Sequence, residues 1–126
     1  NALVNHAKLW RDLAVAVESC CQDLEEHGAG DDTVILMFSE FGRRIADNGS
    51  GTDHGSGGVS ILIGDAVKGG LFGDYPKLAP ADQLDGDVRF NTDFRQVYAS
   101  VLDQFMGVDP SAVLNRKFDQ MPVARS

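Results

Sequence analysis

The chain has 126 residues, 43% of them apolar and 24% charged, which is the composition of one folded domain rather than of a disordered segment. Its formal charge of −8 repels polyanions, which excludes nucleic acid and anionic membrane surfaces as general partners. No apolar run approaches the ~20 residues that span a bilayer, and Asn1 to Trp10 lacks the basic start and apolar block of a secretion signal.

In chain order, Leu3, Trp10, Leu13, Val17, Cys20 and Leu24 recur at helical spacing, and Ala14 and Cys21 widen the stripe. Lys8, Arg11, Glu18, Gln22 and Glu25 fall on the other side, and Gly28 supplies a stop, so the spacing predicts one amphipathic helix over 3–27. Neighbouring helical side chains diverge by about 100°, so Cys20 and Cys21 read as helix-face residues rather than as a disulfide or a zinc pair. His6 and His27 read as structural or solvated.

Two apolar runs follow. "TVILMF" (33–38) and "VSILIG" (59–64) have the β-branched character of strands buried on both faces. Between them lies "FSEFGRRIADNGSGTDHGSGG", dense in glycine and charge. Residues 65–90 read as loop, with a short strand or hairpin arm around Val88 to Phe90. A second helix follows, with Thr92 as its cap, Asp93 in its first turn and Gly107 as its stop. Residues 115–126 read as a loose tail. Helix, strand, strand and helix imply an α/β layer architecture. Two strands are too few for a self-sufficient sheet of this kind. The 126 residues are therefore expected to be a single unit belonging to a larger domain, or one that completes its sheet through a partner.

Ligands of open α/β sheets sit beyond the carboxyl ends of strands, which is where Ser39 and Glu40 fall. Glu40 there suits a metal ligand or a general base, the alternative being an ion pair with Arg43 or Arg44. Asp53 and His54 combine oxygen and imidazole donors that suit zinc, manganese or iron among glycines, the alternative being a surface turn. Arg43 can bind an anionic group bidentately, or pair with Glu40 or Asp47.

The segments "SEFGRR", "NGSGTDHGSGG", "ILIGDAVKGGLFGDYP" and "TDFRQVYASVLDQFMG", in this order from about Leu3 to Leu114, closely resemble the carboxyl-terminal part of a bacterial family. It is the domain-of-unknown-function family numbered 1501, of the alkaline phosphatase and sulfatase-like superfamily. The resemblance implies a partial three-layer α/β/α fold with a central sheet and flanking helices, cut from a longer protein. It also implies a periplasmic or exported location, because many members carry a twin-arginine signal; none is seen in these residues.

Superfamily members place an Asp-His pair after one strand and another His in a glycine-rich loop before the next. In the preferred register Glu40 stands where the Asp stands, Phe41 where its His partner stands, and His54 matches the later His. A second register lays Asp53–His54 on the pair itself, without a strand directly before it. Phe41 cannot bind a metal, and no residue is marked as the nucleophile that such hydrolases supply. The resemblance thus implies a metal site of Glu40, Asp53 and His54 for zinc, manganese or calcium, with Arg43 on a small anionic substrate. The activity implied is hydrolysis of phosphate or sulfate esters, absent from the isolated chain. The alternative is a non-catalytic exported binding or assembly protein with a degenerate site. Self-association, or a missing amino-terminal half, is expected to cover the exposed apolar faces.

Overall fold

The computed structural model describes residues 2–125, and the side chains of residues 4–125, so the place of Leu3 in the helical stripe lies outside the described side chains. Helix α1 spans Ala2–Glu26. It ends as its sequence predicts: Gly28 turns left-handed at φ +67°, its N–H reaches the Glu25 carbonyl, and Ala29 N–H reaches the Leu24 carbonyl at 2.8 Å. Thr33 Oγ1 then donates to the Ala29 carbonyl and closes the turn into the first strand.

The two apolar runs do form strands, but shorter and less covered than expected. β1 is Ile35–Met37, and a second segment, Ile61–Ile63, lies antiparallel to it with Ile35 opposite Ile63 and Met37 opposite Ile61. All six residues are half-buried rather than enclosed. The physical reason is incomplete cover, since α1 faces the pair across an open groove lined by Leu13, Val17 and Cys21 on one side and Met37, Ile61 and Ile63 on the other.

The glycine-rich segment is itself a β-hairpin. β2, Gly42–Asp47, pairs antiparallel with β3, Thr52–Gly55, and the later strand Ile61–Ile63 is β4. The described strands therefore form two separate two-stranded antiparallel sheets, β1–β4 and β2–β3, in a mixed α/β molecule. They do not assemble into one central sheet.

Residues 65–90 are irregular, as expected, with a single 3-10 turn at Pro80–Asp82 and no strand at 88–90. A tight two-residue turn links Leu84 to Asp87 through hydrogen bonds in both directions. Asp85 at φ +51° and Gly86 at φ +84° supply the paired left-handed residues that such a turn requires.

Helix α2, Phe94–Gln104, is capped by Asp93 rather than Thr92. Asp93 Oδ1 accepts from Arg95 N–H at 2.9 Å, and Gln96 Oε1 accepts from Asp93 N–H at 3.1 Å, a reciprocal capping box. Gly107 at φ +62° ends it as predicted. A short helix, α3, spans Pro110–Leu114, with Asp109 capping Ser111 N–H and Pro110 in the first turn.

The carboxyl-terminal segment is docked, against the expectation of a loose tail. Lys68 N–H donates to the Val123 carbonyl and Arg125 N–H to the Ala66 carbonyl, a strand-like pairing around Val67 and Ala124. The Gln104 side-chain oxygen accepts from Val123 and Ala124 N–H, and its amide donates to the Met121 carbonyl at 2.7 Å. With its backbone groups satisfied in this way, Val123 is buried to 1% exposure. Ala99 is the other buried apolar side chain among the described residues, beside Ser100, whose hydroxyl accepts from Met121 N–H.

Candidate functional site

The hairpin is built by local chemistry that starts at its turn. Asp47 Oδ1 accepts from Gly49 N–H and Asn48 Oδ1 from Ser50 N–H, two successive side-chain turns. Asn48 N–H closes the loop onto the Gly51 carbonyl at 2.8 Å, and Gly49 sits at φ +93°.

Close backbone approach explains the glycines at the other end. A Cβ on Gly42 would fall 1.5 Å from the Gly57 carbonyl oxygen, and one on Gly57 would fall 2.7 Å from Val88. The base of the hairpin is thus stacked directly on residues 57 and 88. Ser56 Oγ donates to the Val88 carbonyl at 3.0 Å, and Arg44 pairs with Asp87 at 2.9 Å while also donating to the Asp85 carbonyl. The segment is a stapled element, not a free connection.

The candidate residues are distributed over this element as follows. Arg43 lies opposite His54 in the register. Its guanidinium is spent within the hairpin, donating from Nε to Thr52 Oγ1 at 3.0 Å and from Nη2 to the Thr52 carbonyl. Neither Glu40 nor Asp47 pairs with it among the described residues. The His54 ring stacks on Phe41 with centroids 3.6 Å apart and planes 13° from parallel. Stacking covers the ring face and leaves the two nitrogens, at the ring edge, open to a ligand.

Asp53 Oδ1 accepts from Asn48 Nδ2 at 2.7 Å. Because Asp53 and His54 are consecutive in β3, their side chains leave on opposite faces of the hairpin. Glu40 is exposed in the connection between β1 and β2, and its carboxylate makes no hydrogen bond or ion pair among the described residues. Among those residues no group of three or more His, Cys, Asp or Glu side chains is placed to hold a metal ion. Catalytic zinc takes about three protein donors on one side of the ion, and the alternation along β3 divides this donor set. Asp53 and His54 do not fit one such centre by themselves.

The hairpin is organised by Asn48, Thr52, Arg44 with Asp87, and Phe41 as the support of His54, roles that the sequence analysis does not assign to them. The dipeptide Asn48–Gly49 is the signal that reveals the turn. The pairing of Arg44 with Asp87, far apart in sequence, carries no local signal.

No curated protein and no solved structure matches the chain. The family described as "Protein of unknown function (DUF1501)" matches residues 1–121, nearly the full length, and the chain belongs to that family.

Proposed function

We propose that this chain is the carboxyl-terminal portion of an exported, alkaline phosphatase- or sulfatase-like domain with a three-layer α/β/α fold. Its β2–β3 hairpin forms one wall of a site for a small phosphate or sulfate ester. The observation that carries the reading is the Phe41–His54 stack on a hairpin stapled to residues 84–88. It fixes an imidazole with open ring nitrogens beyond the end of β1, where ligands of such folds gather.

In this reading His54 and Glu40 are this chain's donors to a divalent ion, zinc, manganese or calcium. Asp53 orients the turn through Asn48, and the remaining donors and the nucleophile come from outside the 126 residues. The isolated chain is then inactive. Arg43 contacts the substrate anion only after releasing Thr52, so it serves first as a hairpin brace.

A second reading is favoured by the same stack. Phe41 stands where a working centre of this type would carry a second imidazole, so the fold is retained for binding or assembly without hydrolysis. Metal analysis separates the two. Protein purified without chelator is expected to retain a divalent ion and to lose it in His54→Ala, with turnover of aryl phosphates or sulfates by the longer protein. Absence of metal, with no thermal shift on adding zinc, manganese or calcium, rejects the first reading and leaves the second.

A further inference from the structure

Asparagine is followed by glycine at a single place in the chain, Asn48–Gly49, and that pair lies in the tip of the β2–β3 hairpin. Gly49 supplies left-handed backbone to the turn at φ +93°. It also carries no side chain to shield its amide nitrogen from the residue before it. In such a pair the glycine nitrogen can attack the asparagine Cγ and close a five-membered imide.

The hydrogen bonds around the tip favour that attack. Gly49 N–H donates to Asp47 Oδ1 at 2.7 Å, which sets a carboxylate against the proton that the attacking nitrogen must give up. Asn48 Oδ1 accepts from Ser50 N–H at 3.0 Å and from Ser50 Oγ at 3.2 Å. These two donors stand on the oxygen that gains negative charge in the tetrahedral intermediate. The bond from Asn48 N–H to the Gly51 carbonyl, at 2.8 Å, holds the turn closed around them. Residues 47–50 are exposed, so water reaches the imide.

We propose that Asn48 is a self-modification site, at which the hairpin tip converts its own asparagine into aspartate and isoaspartate. The Gly49 nitrogen bonds to Asn48 Cγ while its proton passes to Asp47. The bond from Cγ to Nδ2 breaks, and Nδ2 takes up that proton and leaves as ammonia. Water then opens the imide at either carbonyl. The product is a carboxylic acid at position 48 on a normal or a β-linked backbone.

The product alters the hairpin. Asn48 Nδ2 donates to Asp53 Oδ1 at 2.7 Å, and the reaction replaces that donor with a second carboxylate, next to Asp47. Like charges at this spacing repel. The β-linked form also adds a backbone atom to the turn between Asp47 and Thr52, which pair across the hairpin. Asp53 is thereby released from the tip, and the strand ends loosen.

Peptide mapping by mass spectrometry follows the acid at position 48 with time at neutral pH, in the folded chain and in urea. Reaction about tenfold faster in the folded chain is expected, with that advantage lost in Asp47→Ala and reduced in Ser50→Ala, and with the rates in urea unchanged. Circular dichroism verifies that both variants stay folded. In the reacted protein, hydrogen exchange over 42–58 is expected to quicken. A chain that reacts no faster folded than in urea overturns the proposal, as does a folded rate that neither variant slows. Unchanged exchange in the reacted protein overturns the effect on the hairpin.

Discussion

Asp93 shows how one side chain can hold an element in place. It accepts from the Arg95 backbone and receives two further hydrogen bonds from the Arg95 guanidinium, at 2.8 and 2.6 Å. The Arg95 side chain, then its backbone N–H, lowers the Asp93 carboxyl to about 2 from the ordinary 3.8. Its folded-state value lies below the unfolded one, so the stability it contributes is fully present above about pH 4. That stability is lost as pH falls through about 2. Acid unfolding of the chain is therefore expected to lose part of its slope between those values in Asp93→Asn, which keeps a capping oxygen but no charge. Thermal melts across pH 2–5 check this, and parallel curves for the two proteins contradict it. Phe118 sits beside the same cap, with the Arg95 and Arg116 guanidinium carbons 4.8 and 4.6 Å from its ring centroid.

At the scale of elements, the hairpin depends on backbone contact rather than on a core. Gly42→Ala places a methyl group inside the Gly57 carbonyl, so one strand must move. A loss of about 3 kcal/mol is expected, read as a lower unfolding midpoint together with faster hydrogen exchange over 42–58. Unchanged exchange there would show that the base of the hairpin is not packed in this way. The helices were legible in the sequence because their signals are local: the apolar stripe of α1, and the glycines that end α1 and α2. The cap of α2 was misplaced by one residue, since Thr92 and Asp93 are both good caps and only the Gln96 bond back to Asp93 N–H decides between them. The apolar runs gave β1 and β4 but not their limits. Periodicity says that a run is apolar, and the available cover sets how much of it pairs. The carboxyl-terminal segment was misread because its anchor is Gln104, a polar side chain whose bonds to residues 121–124 leave no pattern in composition.

For the whole molecule, the main finding is how little the chain encloses. Only Ala99 and Val123 are buried among the described apolar side chains, although 43% of the residues are apolar. Two separate two-stranded sheets, with α1 facing β1–β4 across an open groove, leave apolar side chains such as Trp10 and Leu13 exposed. The candidate site was legible in its residue types and not in its geometry. Glu40, Asp53, His54 and Arg43 stand out by chemistry and position, but the turn at 48–51 decides that Asp53 and His54 diverge and that His54 meets Phe41. No helix among the described residues is long and apolar enough to cross a membrane.

In the proposed function His54, held on Phe41, is a ligand position shared with Glu40 and not with Asp53. Imidazole NMR during a zinc titration addresses it directly, because the chain has only three histidines, His6, His27 and His54. On that proposal His54 shifts at the lowest zinc concentrations, Glu40→Gln weakens that response about tenfold, and Asp53→Asn leaves it unchanged. A His54 signal that does not move, or one that moves no earlier than those of His6 and His27, contradicts it.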